Sequence, residues 1–141
     1  MEVEINYLAV LVATAAAIIL GTAWYGPLFG KQWMRIVSVS MGEMTPAAKR
    51  SMMRSYAILA LTTFVMAFVL AHALSFASQI TEAEGVLASV TTAIWVWLGF
   101  IAPVTLSSVL WENRPWKYWF ITSGYYLVSL ILMSVILTVW A

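Results

Sequence analysis

The sequence predicts an all-α polytopic membrane protein, with four transmembrane helices in a compact bundle and both termini on the outer, periplasmic side. Three observations predict it. The 141 residues are 63% hydrophobic and 9% charged, too few charges to cover a soluble domain of this length. Four uncharged runs, 5–30, 55–81, 85–111 and 118–141, each exceed the ~20 residues that a helix needs to cross a ~30 Å hydrocarbon core. Finally, the basic residues fall on one side only. Five of the seven lie between the first and second runs and the other two between the third and fourth, so the positive-inside rule puts both basic loops in the cytoplasm. Glu2, Glu4, Glu82 and Glu84 then all lie outside. Barrel strands would be about half as long as these runs and would alternate in polarity.

The chain reads as one domain, residues 1–141, with helices at about 5–25, 46–78, 86–111 and 117–140. Met1-Glu2-Val3-Glu4 lacks the basic start of a cleaved signal peptide, so the first run is expected to stay as a helix. Along it Ala9, Ala13, Ala17 and Gly21 repeat every four residues. Such a stripe of small side chains lets another helix approach closely, within the chain or between copies.

The first helix is expected to break at Trp24-Tyr25-Gly26-Pro27-Leu28-Phe29-Gly30-Lys31-Gln32-Trp33. Pro27 disfavours a helical Gly26, and both glycines can take angles other residues resist. Lys31, Trp33 and Arg35, with apolar residues between them, suit a short helix in the headgroup layer. Aromatic belt and basic anchor is the plainer role for Trp24, Tyr25, Pro27, Lys31 and Trp33.

Thr45-Pro46 is a helix start, threonine as N-cap and proline in the first turn. The second helix then carries Lys49, Arg50 and Arg54 outside the lipid, and its span repeats the small stripe at Ala67, Ala71 and Ser75. His72, the sole histidine, lies about six residues from the outer end. An ionisable group at such depth marks a functional site by default, yet a neutral imidazole could equally bond Thr91, Thr92 or Ser134 on a neighbouring helix. In the third span Trp95 and Trp97 sit near mid-membrane, followed by Gly99 and Pro103. Pro103 should free the carbonyl near Gly99 and bend the helix, and such kinks can line a cavity. His72, Trp97, Gly99 and Pro103 are the candidates for a ligand site or pathway. In the return turn Glu112 and Arg114 can pair with each other or with the first basic loop, and complete the candidates at the cytoplasmic interface.

Asn6-Tyr7-Leu8-Ala9-Val10, the Trp24–Trp33 stretch, Ala71-His72-Ala73-Leu74, Trp97-Leu98-Gly99-Phe100-Ile101-Ala102-Pro103, Glu112-Asn113-Arg114-Pro115 and Gly124-Tyr125 occur in this order. Together they resemble the small bacterial membrane proteins grouped as domain of unknown function 1761, over nearly the whole chain. The resemblance implies a compact four-helix membrane protein and carries over no activity, cofactor or catalytic residue.

Function classes narrow accordingly. The chain has no cysteine, hence no disulfide, thiolate nucleophile or thiolate metal site. A net charge of +1 offers no field for nucleic acid. No nucleophile–base set, HExxH or phosphate-binding glycine loop is present, so an enzyme, metal centre or cofactor is not expected. The expected function is a non-enzymatic multi-pass protein of the bacterial inner membrane. It would contact membrane lipids, act as a homo-oligomer and bind a small hydrophobic or lipidic ligand or a partner. The alternative is a small oligomeric transporter or channel for a neutral or lipidic solute, since no Asp, Glu, Lys or Arg lies within a span to exchange charge.

Overall fold

The computed structural model describes residues 3–37 and 45–140. Glu2, assigned to the outer side by the charge argument, lies outside the described residues, as do Met1, residues 38–44 and Ala141. Among the described residues the structure is helical, without a strand. Four helices are long and apolar enough to cross a membrane, Tyr7–Leu28, Pro46–Thr81, Val86–Leu110 and Trp116–Val139. That is compatible with a multi-pass membrane protein.

Helix α1 (Tyr7–Ala23) opens on Asn6, whose side chain accepts from the Ala9 N–H at 3.2 Å and caps the first turn. It does not stop at the Trp24–Trp33 stretch as expected. A five-residue π turn, Trp24–Leu28, carries the helix on with Pro27 inside it. The wider turn takes up the proline ring, and Phe29 N–H donates to the Trp24 carbonyl five residues back, at 2.8 Å. Gly26 therefore stays helical, correcting the expected break. Neither Gly26 nor Gly30 takes a left-handed angle; among the described glycines only Gly85 does, at φ 94°. Gly30 serves close approach instead, since a Cβ there would stand 2.6 Å from the Tyr25 carbonyl oxygen. Helix α2 (Gly30–Val37) follows at once and carries Lys31, Trp33 and Arg35.

Helix α3 (Pro46–Thr81) starts as the sequence suggests. The Thr45 side chain accepts from the Ala48 N–H at 3.1 Å and Pro46 occupies the first turn. At 36 residues it is roughly 54 Å long, so it outreaches a ~30 Å core. Its exposed first turns hold Lys49, Arg50 and Arg54. A left-handed Glu82, φ 56°, ends it, and Gly85 leads into α4 (Val86–Val96). The bend expected from Pro103 is taken up by a second π turn, Trp97–Ile101, with Ala102 N–H donating to the Trp97 carbonyl. Two short pieces, α5 (Ala102–Thr105) and α6 (Ser107–Leu110), complete that span. Helix α7 (Trp116–Val139) returns across.

Helix α7 is the central element, packed along α1 on one side and α4 on the other, and it buries residues from Ile121 to Leu137. Helix α1 in turn packs on α3. The stripe on α1 is used within the chain: Ala9, Ala13 and Ala17 are at most 1% exposed and meet Ala67, Leu70, Leu130 and Met133 in the core. Apolar burial drives little association in lipid, so this close approach and a few interhelical hydrogen bonds hold the helices. Helix α3, for all its length, buries only Thr63, Ala67 and Leu70.

Candidate functional site

At the basic end the two π turns grip α7 from both sides. Each begins Trp-x-Gly, at Trp24 and at Trp97. The Trp24 indole N–H donates to the Ile121 carbonyl at 2.9 Å, and the Trp97 indole N–H to the Ser123 carbonyl at 2.8 Å. Trp119 on α7 donates back to the Ala102 carbonyl at 3.2 Å. The missing side chain of Gly124 lets the Trp24 ring lie close, 3.4 Å from where a Cβ would be. Tyr25 packs edge-on to Trp33 and to Tyr125, each at 5.5 Å between centroids. Arg114 donates to the Ile36 carbonyl at 3.0 Å, satisfying the open end of α2, and lies 5.3 Å over the Tyr118 ring.

Of the expected interface residues, then, Trp24, Tyr25 and Trp33 gather on α7, while Arg114 reaches the first basic loop rather than Glu112. Lys31, Pro27 and Glu112 are exposed. The three indole N–H groups and Arg114 all donate to backbone carbonyls, so these contacts position the helices.

The opposite end is open. Helix α3 stands off from α4 there, and a cleft of about 1170 Å³ lies between α3, α4 and the ends of α1 and α7. Its walls are alanines and leucines, among them Ala9, Ala71, Leu74 and Leu137, with exposed Trp95 toward mid-membrane. Set among them are hydroxyls from three helices: Ser75, Ser78 and Thr81, then Ser89, Thr91 and Thr92, then Thr138. Glu4 and Glu84 stand at the rim.

These hydroxyls have mostly committed their protons. Ser78 donates to the Ser75 carbonyl at 2.9 Å, Thr81 to Ala77 at 2.6 Å, Thr91 to Leu87 at 2.8 Å and Thr92 to Ala88 at 2.9 Å. Thr138 links the Ser134 carbonyl to the Ser89 hydroxyl. Thr91 and Thr92 thereby present oxygen lone pairs to the cleft, whereas Ser75 already accepts from Gln79 Nε2 at 3.0 Å and Thr81 from the Ala83 N–H at 3.3 Å. The wall is thus a set of hydrogen-bond acceptors with carboxylates at the entrance, suited to a head group that donates.

The pathway candidates lie elsewhere. His72 is half-buried beside the cleft and does not line it; its Nδ1 meets the Phe68 carbonyl of its own helix at 2.9 Å instead of a hydroxyl on a neighbour. Its ring lies edge-on to Phe68 and Phe76, at 4.5 and 6.3 Å between centroids. Trp97 is bound to α7, and Gly99 and Pro103 are exposed. The cleft residues missed from the sequence were visible as a pattern. Ser75, Ser78, Thr81, Ser89, Thr91, Thr92 and Thr138 recur on three helices, a signal easily discounted because such hydroxyls bond their own helix and are as frequent elsewhere in the same spans. Among the described residues no three His, Asp or Glu side chains are placed to hold a metal ion.

A family model described as Protein of unknown function (DUF1761) matches residues 8–138. No curated protein and no solved structure matches the chain.

Proposed function

The chain belongs to the DUF1761 family, and we propose that it is a non-enzymatic multi-pass protein of the bacterial inner membrane that binds an amphiphile in the cleft between α3 and α4. The observation that carries this reading is the acceptor-lined cleft of about 1170 Å³ at the end away from the basic residues. The positive-inside rule supports placing that end, with both termini, on the outer side. The chemistry favours a neutral or cationic amphiphile whose head carries N–H or O–H donors for the hydroxyls and carboxylates. Its tail would lie along Leu74 and Trp95. The reading assigns no catalytic residue. Of the two small-residue stripes that suggest a homo-oligomer, Ala9, Ala13, Ala17 and Ala67 are buried within the chain, while Gly21, Ala71 and Ser75 are half-buried and remain the face through which copies would associate.

The test is mass spectrometry of the protein purified in mild detergent after exposure to equal phosphatidylethanolamine, which has N–H donors, and phosphatidylcholine, which has none. Wild type should retain the ethanolamine lipid in preference. Ala71→Trp, filling the cleft from a half-buried wall position, should cut that retention to about a tenth, the change that ~1.4 kcal/mol of lost binding gives. Equal retention of both lipids, unaffected by Ala71→Trp, contradicts the reading.

A further inference from the structure

A second, smaller concavity lies at the opposite end. It is a crevice of about 490 Å³ on the lipid-facing side of α7, roofed by the Trp24 ring. Along α7 its floor runs through Lys117, Phe120, Gly124 and Val128, positions three or four residues apart and therefore on one face of the helix. The eleven steps from Lys117 to Val128 span roughly 16 Å, close to the ~15 Å that one leaflet contributes to a ~30 Å core. The floor and roof are apolar throughout, and the cationic group in the lining is Lys117 at the first turn of α7. Trp116 beside it is exposed and amphipathic, a residue type that settles at headgroup level.

We infer that this crevice docks one anionic phospholipid, an acyl chain lying along α7 under Trp24 and the phosphate-bearing head held by Lys117. Three features of the crevice select that occupant. The groove is as long as one leaflet, and its walls are apolar and accessible from the lipid side, Phe120 being 63% and Val128 37% exposed. The charged residue of its lining is the cationic Lys117, with Lys31 and Arg114 in the neighbouring segments of the same end and Glu112 the carboxylate of the adjoining turn. A zwitterionic lipid fits the walls as well, so the lysine is what selects. Gly124 lies on the floor facing the Trp24 ring, where a Cβ would stand in van der Waals contact at 3.4 Å. The site is independent of the outer cleft, sharing no lining residue with it.

The experiment is native mass spectrometry of the full chain, incubated with phosphatidylglycerol and phosphatidylcholine of identical acyl chains. Wild type should keep one phosphatidylglycerol in preference to phosphatidylcholine. Lys117→Gln should lower that preference about fivefold, the factor that ~1 kcal/mol per surface lysine gives. Lys117 is exposed, so this change spares the fold. Val128→Trp, also at an exposed site, should reduce retention of both lipids by filling the groove. Lys49→Gln, on the projecting start of α3, should change nothing. A wild type without preference for the anionic lipid overturns the inference, as does a preference that survives Lys117→Gln or is lost equally in Lys49→Gln.

Discussion

The Tyr125 hydroxyl donates to the Ala17 carbonyl at 2.9 Å, a buried bond from α7 to α1 across 108 residues of sequence. One turn further along α1, Gly21 leaves the space that the ring needs, since a Cβ there would lie 3.1 Å from the same hydroxyl oxygen. The carbonyl retains its helical partner if the tyrosine is cut back. Tyr125→Phe should therefore cost about 1 kcal/mol or less, whereas Gly21→Leu should cost about 1–3 kcal/mol by overpacking. Unfolding titrations in detergent check the order. A larger loss for Tyr125→Phe than for Gly21→Leu would contradict it.

The two glycines of the first π region should behave oppositely. A Cβ on Gly30 would meet the Tyr25 carbonyl at 2.6 Å, and backbone cannot move as a side chain can, while at Gly26 nothing lies within 4 Å. Gly30→Ala should lower the unfolding midpoint, and Gly26→Ala should stay within ~0.5 kcal/mol of wild type. Equal effects would remove the close-approach role assigned to Gly30.

The four spans are legible in the sequence, because span length is a one-dimensional property. The N-cap at Thr45 and the stripe on α1 were local enough to read as well. The π turns were not. A proline beside a glycine signals interruption, and only the bond from Phe29 to Trp24 shows that Pro27 sits inside a widened helix. The gripping of α7 was hidden for another reason: Trp24 and Ile121 are 97 residues apart, and an interfacial tryptophan looks the same whether or not its indole N–H has a carbonyl. The repeated Trp-x-Gly at Trp24 and Trp97 was the available clue. The cleft depends on α3 standing away from α4, a tertiary outcome that no local pattern encodes.

The paired grip gives its own prediction. Trp24→Phe and Trp97→Phe each remove one donor to a carbonyl that stays in the α7 ladder, so each should cost about 0.5–1.5 kcal/mol without changing helix content by circular dichroism. Loss of helix content in either variant would mean that the indole nucleates its π turn rather than docking it on α7.

His72 should prove replaceable. Its imidazole meets the Phe68 carbonyl of its own helix and the rings of Phe68 and Phe76, and Ala71 and Ser75 face the cleft in its stead. His72→Phe should leave stability within ~0.5 kcal/mol and ligand retention unchanged. A variant that folds normally yet loses its ligand would return the histidine to the site.

The central claim, that an amphiphile occupies the outer cleft, is tested most directly by crystallising the protein with phosphatidylethanolamine whose acyl chains carry bromine, and locating the bromines by anomalous scattering. The account predicts a peak between α3 and α4 beside Trp95, with the ethanolamine head at the level of Ser78 and Ser89. Peaks confined to the lipid-facing perimeter, with α3 closed against α4, would contradict it.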